Sequence, residues 1–138
     1  MGQNRYHLTK KSRETDDGFT VFQIEGINPN TGEFEVGGWI ETEDNLIMDS
    51  AAWIGGNAQV YDGAVVTDQA SVLGNAIVHG KGTLIAGKAR VYDEAQVFNG
   101  GRVLDNACVC DNAIVNGGII KNQDCLDGNK KKMPPIKL

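Results

Sequence analysis

The sequence predicts an all-β chain that folds as a parallel β-helix, and three observations support that prediction. The first is a six-residue repeat running from Asp44 to Asn122, because self-similarity at a short, fixed period indicates a solenoid. The second is that the third and fifth residues of each repeat are apolar and lie two apart, which places them on one side of an extended strand. The third is that Asp, Asn and Gly open the repeats, and these residues tolerate tight corners.

Two apolar columns define the expected interior. A helix would need apolar residues at spacings of three and four, so the pattern excludes a helix over this stretch. The expected third-position column is Leu46, Ala52, Ala58, Ala64, Ala70, Ala76, Gly82, Ala89, Ala95, Gly101, Ala107, Ala113 and Ile119. The expected fifth-position column is Met48, Ile54, Val60, Val66, Val72, Val78, Leu84, Val91, Val97, Val103, Val109 and Val115. One extra residue is expected around Ile85 and Ala86, and Lys121 departs from the pattern.

Several motifs resemble those of a known family. The V-Y-D-x-A-x-V and D-N-A-x-V runs resemble the left-handed β-helix of the hexapeptide-repeat superfamily. The run Gly37-Gly38-Trp39-Ile40-Glu41, which leads into the repeats, is similar to the N-terminal segment of a bacterial and phage branch of that superfamily. The resemblance implies a left-handed coil with a triangular cross-section, and the repeats of residues 44–122 would then form about four coils.

Residues 1–43 precede the repeats and are expected to form a β-hairpin cap. Phe19–Ile24 has the alternation and the aromatic and β-branched content of a strand, and an Asn-Pro-Asn-Thr-Gly turn returns the chain antiparallel over Glu33–Val36. Such a cap hides the end of a solenoid, whose unpaired strand edges would otherwise pair with other chains. Trp39 and Trp53 are expected to cover the first coil.

Residues 123–138 follow the repeats and are predicted to be a basic tail or a second cap. Two consecutive prolines in this segment cannot continue a hydrogen-bonded ladder. The segment would either drape over the open end, with Leu126, Met133 or Ile136 touching the final coil, or form a flexible arm for an acidic partner.

The charge and hydropathy of the chain exclude several functional classes. The net charge is −5, with +3 on residues 121–138 and therefore −8 on the remainder. A negative body repels phosphate backbones, so we expect no nucleic-acid reading. No apolar run is long enough to span a bilayer and the first residues are polar, so we expect a soluble, cytoplasmic protein without a signal peptide or membrane anchor.

The three cysteines are expected to be reduced thiols in a reducing compartment. Cys108 and Cys110 lie two apart on one strand, which separates their Cα atoms by about 6.5 Å and would strain a disulfide between them. A metal site completed by Cys125 would lack both the CxxC spacing and a fourth ligand. We therefore expect no metal and no cofactor.

The outward positions of the repeats divide among three faces, and one face carries an apolar stripe. Outward aromatic residues in a column are typical of an interface. The residues of this expected interface are Tyr61, Ile77, His79, Phe98 and Ile114, joined by Leu73 and Tyr92 on the next face. Because proteins of the resembled superfamily are commonly trimers, a homo-oligomer is expected, with a trimer favoured. The alternative is an aromatic ladder that stabilises a monomer.

The two histidines bear on the enzymatic activities that the resemblance suggests. A γ-type carbonic anhydrase needs three imidazoles on zinc, and only His7 and His79 exist, which excludes that mechanism. Acyltransferases of the superfamily use one histidine as a general base, and His79 is the candidate. We find no obvious acidic partner for His79, and the acceptor loops of such enzymes are missing. His79 is therefore expected to be an interface or surface imidazole.

The expected function is that of a non-enzymatic, oligomeric binding or scaffold protein. Its partner would be a host protein, if the chain is encoded by a phage, or a small anionic, nucleotide-like ligand held in clefts between subunits. The candidate anion contacts are Lys81, Lys88, Arg90 and Arg102. A degenerate acyltransferase that uses His79 is the alternative, and stabilisation of the protein by coenzyme A would favour it.

Overall fold

The structure, a computed structural model that describes residues 4–128, is a solenoid of short β-strands. The strands are β1 Tyr6–Glu14, β2 Thr20–Asn28, β3 Glu33–Ile40, β4 Trp53–Ile54, β5 Gln59–Tyr61, β6 Val65–Val66, β7 Ser71–Val72, β8 Ile77–His79, β9 Leu84–Ile85, β10 Arg90–Val91, β11 Gln96–Phe98, β12 Arg102–Val103, β13 Cys108–Val109, β14 Ile114–Asn116, β15 Ile119–Ile120 and β16 Cys125–Leu126. A short 3₁₀ helix, Glu43–Asn45, lies between β3 and β4.

Three sheets form the walls of the solenoid. The first wall has the strand order β1-β2-β3-β5-β8-β11-β14, the second β16-β13-β10-β7-β4, and the third β15-β12-β9-β6. From β5 onwards each strand pairs in parallel with its counterpart one turn away, for example β5 with β8 and β10 with β13. The predicted all-β, parallel solenoid is therefore confirmed, and it has about five turns.

Alanine and branched aliphatic residues fill the interior, as the repeat predicts. The small residues occupy one column and the larger ones the other, so together they fill a narrow interior. Fully buried members are Ala52, Ala58, Ala64, Ala70, Ala76, Ala89, Ala95, Ala107, Ile54, Val60, Val66, Val72, Val78, Val91, Val97, Val103, Val109 and Val115. Each buried valine contributes about 1.5 kcal/mol or more as an upper bound, so the columns hold the domain together.

The register differs from the expected one at both ends of the solenoid. Leu46 is fully buried and forms a bridge to Val66, whereas Met48, the expected core residue, is only partly buried. At the other end Ile119, also expected in the core, is exposed and Ile120 is buried instead. Both shifts arise because these terminal turns differ in length from the regular repeat.

The extra residue lies before Thr83 rather than around Ile85 and Ala86. Thr83 and Ile85 face the interior, while Leu84, which pairs with Val65, is partly exposed, so the expectation of Leu84 in the core was wrong. The longer corner instead contains Gly80-Lys81-Gly82, and Gly82 is exposed rather than part of the core column.

A polar residue can occupy the interior at Thr83 because its hydroxyl is fully engaged. Thr83 Oγ1 donates a hydrogen bond to the carbonyl of His79 over 2.9 Å and accepts one from the backbone N–H of Gly100 over 3.0 Å. Burial of a hydroxyl is tolerated when its hydrogen bonds are made.

The N-terminal strands extend the first wall as an antiparallel sheet. β1 pairs with β2 and β2 with β3, and β3 then joins the solenoid in parallel with β5. Gly37 makes this crossing feasible, because a Cβ there would lie 2.7 Å from the carbonyl oxygen of Ile54 and 2.9 Å from Trp53. Trp53 is buried in the core beneath this sheet, whereas Trp39 is buried on the outer side of the wall.

The side chains of Arg5, which precedes β1, and of Tyr6, the first residue of β1, hold the irregular first turn in place. Arg5 donates hydrogen bonds to the carbonyls of Ile47, Met48 and Ala52, over 2.7, 2.9 and 2.7 Å. Tyr6 Oη donates to the carbonyl of Leu46. The carbonyls of this segment, which a regular rung would pair with a neighbouring strand, are thereby satisfied.

The stacking of rungs continues beyond Asn122, where the sequence pattern ends. β16 pairs with β13, and Leu126 is buried against the final turn. Cys125 of β16 is joined by a disulfide to Cys108 of β13, and Cys110 is a free, buried thiol. The expectation of three reduced thiols was therefore wrong for two of them, because it compared only cysteines on the same strand. The expected contacts of Met133 and Ile136 lie outside the described residues.

Candidate binding surface

The outer side of the first wall is the candidate binding surface, called here the outer face. Side chains alternate along a strand, and since Val60 and Val78 point inward their neighbours point outward. Paired residues of neighbouring strands point to the same side of a sheet, so the strand pairing identifies the outward residues of the other strands as well. The outward residues are Val21, Gln23, Glu25 and Ile27 on β2, Phe34, Val36 and Trp39 on β3, Gln59 and Tyr61 on β5, Ile77 and His79 on β8, Gln96 and Phe98 on β11, and Ile114 and Asn116 on β14.

Four aromatic rings form a column along one side of the outer face. Tyr61 and His79 stack with ring centroids 5.1 Å apart, and His79 and Phe98 stack with centroids 5.3 Å apart. Phe19 continues the column above Tyr61 with its ring tilted and its centroid 5.1 Å away. The structure therefore brings together three of the residues expected at the interface and adds Phe19, which the repeat pattern did not indicate.

The loop between β1 and β2 covers the upper part of this column. Phe19 and Val21 pack on Tyr61, which is only 3% exposed although its side chain points outward. Ile77 packs partly buried against the same cluster. Tyr61 is thus covered by its own chain, and the other members of the column, Phe19, His79 and Phe98, remain partly exposed.

Asp17, in this covering loop, is a polar partner that the sequence analysis missed. Its carboxylate accepts hydrogen bonds from Thr15 Oγ1 over 2.6 Å and from Tyr61 Oη over 2.9 Å. Its other oxygen lies 3.9 Å from His79 Nδ1. Asp17 lies far from Tyr61 and His79 in sequence and outside the repeats, so no spacing could have indicated the contact.

The hydrogen bonds of this cluster shift the acidity of two of its members. Burial raises the pKa of Asp17, but the hydrogen bonds donated by Thr15 and Tyr61 outweigh that effect and hold its pKa below the ordinary value. Burial, reinforced by the Asp17 carboxylate, raises the pKa of Tyr61. The tyrosine is therefore neutral and the aspartate charged at neutral pH.

The outer face also carries an exposed apolar patch on the hairpin. Phe34 and Val36 on β3 are 62% and 58% exposed, and Ile27, which pairs with Phe34 across the strands, is 43% exposed. Trp39 lies between this patch and the aromatic column, with the Arg13 guanidinium 4.2 Å above its ring. This patch, defined as Ile27, Phe34 and Val36, was not among the expected interface residues.

The remaining expected interface residues take different positions. Ile114 is partly buried on β14 of the outer face. Leu73 follows β7 and packs partly buried against the core. Tyr92 lies on the second wall, where a hydrogen bond with Cys110 raises its pKa and the Arg90 guanidinium lies 5.7 Å from its ring. Leu73 and Tyr92 are therefore separate from the outer face.

The four expected anion contacts do not form one cluster. Lys81 is exposed in the longer corner and Arg102 is exposed on the third wall. Lys88 and Arg90, in contrast, line the same recess on the second wall together with residues of the hairpin turn. The structure thus brings together two of the four cations.

The acidic residues of the corners serve mainly as hydrogen-bond acceptors. Oxygen and sulfur atoms of Asp93, Cys110 and Asp111 lie within 4.8 Å of one another. Asp93 already accepts a hydrogen bond from the backbone N–H of Asp111, and Asp111 accepts one from that of Gly128. These carboxylates are explained by the packing of the turns, so they do not by themselves indicate a metal site.

Comparisons with known proteins leave the family of the chain open. Over residues 4–128 no helix has the length and hydrophobicity needed to span a bilayer. No protein-family model matches the sequence, and no curated protein matches it.

Proposed function

We propose that the chain is a non-enzymatic binding or scaffold protein that assembles with copies of itself through the outer face. One observation carries this proposal: Ile27, Phe34 and Val36 are largely exposed on the same side of one sheet as His79 and Phe98. Exposed apolar groups gathered on one face are typical of protein interfaces, whereas singly scattered ones are not.

A second copy of the chain is the occupant that these features favour. The outer face belongs to a seven-stranded sheet whose strands lie about 4.8 Å apart. The sheet of a second copy has the same strand spacing, so the side chains of the two faces can match along the solenoid axis. The repeat motifs, which resemble those of left-handed hexapeptide-repeat proteins, support a trimer and a bacterial or phage origin. A host protein bound by the assembled form would be consistent with that origin.

Sedimentation equilibrium at micromolar concentration tests the assembly. The wild-type chain should sediment as an oligomer, and Phe34→Glu should shift it towards the monomer because a buried charge opposes association. Ile119→Glu is the matched control, since Ile119 is 49% exposed on the third wall, away from the outer face. A monomeric wild-type protein, or equal dissociation by both variants, would overturn the proposal.

A degenerate acyltransferase is the second candidate, and the contact between Asp17 and His79 favours it. A carboxylate 3.9 Å from Nδ1 can orient an imidazole, and His79 Nε2 has no hydrogen-bond partner among residues 4–128. Coenzyme A should then raise the melting temperature of the wild-type protein but not that of His79→Ala. No shift in either protein would exclude this candidate.

A further inference from the structure

The recess on the second wall brings two cations together with several neutral polar groups. It has a volume of about 320 Å³, near the lower end of the range for small-molecule sites. Its walls come from three successive turns of the solenoid and from the turn between β2 and β3. Lys88, Arg90, Gln69, Ser71 and Asn30 supply its polar groups.

A small residue, Ser71, lines the recess beside the larger Arg90, its neighbour on the next turn. Trp53, Ser71 and Arg90 are stacked on β4, β7 and β10. The short serine side chain leaves space next to the arginine. Asn30 and the preceding proline of the hairpin turn close this space from the side.

The groups that line the recess are predominantly hydrogen-bond donors. Lys88 and Arg90 are exposed, and neither has a carboxylate within 4.0 Å among residues 4–128. The carboxylate of Asp68, at a corner before β7, already accepts a hydrogen bond from the backbone N–H of Gly87 over 2.9 Å. Two cations are therefore left without a counter-ion in a chain whose net charge is −5.

Ser71 adds a neutral hydroxyl to the lining of the recess. It is only 7% exposed, yet its hydroxyl makes no hydrogen bond within the described part of the chain. The hydroxyl oxygen is open to the recess, so it is available to hydrogen-bond a ligand there.

We propose that this recess binds a small oxyanion, with phosphate as the chemical group recognised. The planar guanidinium of Arg90 can donate two hydrogen bonds to one phosphate, Lys88 contributes a second positive charge, and Ser71 supplies a neutral donor. The volume leaves room for a small organic group attached to the phosphate. The site deepens the proposed binding role and lies within one chain, so it does not depend on self-association.

Isothermal titration with inorganic phosphate and with glucose 6-phosphate, at low ionic strength, tests the site. Each of Lys88→Ala and Arg90→Gln should weaken binding about tenfold or more, and Ser71→Ala should weaken it severalfold. Lys81→Ala is the matched control, because it removes the same charge from an exposed position outside the recess and should leave the affinity unchanged. Circular dichroism of each variant would show that the fold is retained.

The comparison of the two probes identifies the source of the phosphate. Tighter binding of glucose 6-phosphate would indicate a phosphate ester, and equal binding would indicate free phosphate; either result supports the site. Absence of saturable binding, or equal weakening by Lys81→Ala and Lys88→Ala, would overturn it. A variant such as Phe34→Glu that is monomeric but still binds phosphate would separate this site from the assembly.

Discussion

Corner residues determine whether consecutive turns of this solenoid can stack. Seven Asp and Asn residues within residues 4–128 have positive φ, a conformation that these two residue types adopt more readily than other non-glycine residues. Several of the aspartates also accept a hydrogen bond from the backbone of the next turn, as Asp105 does from the N–H of Asn122 over 3.0 Å. One side chain therefore shapes its own corner and attaches it to the next.

Glycine is required at a corner where the next turn approaches closely. Gly74 has φ +68°, and a Cβ there would lie 2.8 Å from the backbone nitrogen of Asp93. Gly100 has φ +78°, and nothing lies within 4 Å of its Cβ position. We expect Gly74→Ala to destabilise the protein by about 1–3 kcal/mol more than Gly100→Ala, because only the first adds a collision to the backbone strain. Urea unfolding of both variants measures the difference, and equal losses would contradict this explanation.

Two buried tyrosines predict how stability depends on alkaline pH. Burial raises the pKa of Tyr6 and of Tyr61 above the ordinary value. At alkaline pH both tyrosines therefore stay protonated in the folded protein, whereas they lose their protons in the unfolded chain. The free energy of unfolding is unaffected by the ionisation of these tyrosines below about pH 10. As the pH rises further, it falls with a slope approaching about 1.4 kcal/mol per pH unit for each tyrosine.

The alkaline loss can be assigned by substitution. Urea unfolding between about pH 8 and pH 11 should show a steep loss of stability for the wild-type protein and a shallower one for Tyr61→Phe, which has one group fewer to ionise. The variant starts from a lower stability at neutral pH, because it lacks the hydrogen bond to Asp17. Identical slopes would show that Tyr61 is not responsible.

At the level of strands, the sequence predicted the regular rungs and failed where a turn changes length. The two apolar columns repeat without interruption from Ala52 to Val78. With a period of six residues, only one alignment of successive turns places both columns inside. At the longer corner both Leu84 and Ile85 are apolar, so either could have faced inward. Only the pairing of Leu84 with Val65 and the two hydrogen bonds of Thr83 determine the outcome.

The last strand depends on a covalent link to the turn before it. The disulfide between Cys108 and Cys125 joins β13 to β16 and spans 17 residues. Closing a loop of this size restricts the unfolded chain, so Cys125→Ser should destabilise the protein by about 3 kcal/mol. Cys110→Ser is the matched control, since Cys110 is free and its replacement removes no cross-link.

Reduction distinguishes the disulfide from other effects of the substitution. A thiol reductant should lower the melting temperature of the wild-type protein and of Cys110→Ser, and should leave that of Cys125→Ser unchanged. If the reductant changes none of the three, the link makes no contribution to stability.

For the whole molecule, the repeat predicted the stripe on the outer face but not what covers it. Phe98 and His79 could be placed on one face from their spacing alone. The position of the loop that carries Asp17 and Phe19 is set by the pairing of β1 and β2 with the solenoid, which no local pattern encodes. The exposed patch on the hairpin was missed for the same reason, because a bulge in the pairing of β2 with β3 decides which side Phe34 and Val36 occupy.

The proposed assembly follows from this arrangement of the whole sheet. Two separate apolar regions, the patch around Phe34 and the column ending at Phe98, lie on the same side of a single seven-stranded sheet. A partner that covered both would bury a surface extending over the hairpin and the solenoid, as association of like subunits would require.

Hydroxyl-radical footprinting at low and high protein concentration tests the central claim most directly. Mass spectrometry would measure the oxidation of Phe34, Phe98 and Ile119 in the same sample. If the outer face is the interface, Phe34 and Phe98 become protected as the concentration rises while Ile119, on the third wall, reacts equally at both concentrations. Unchanged oxidation of Phe34 and Phe98, or protection of Ile119 alone, would contradict the account.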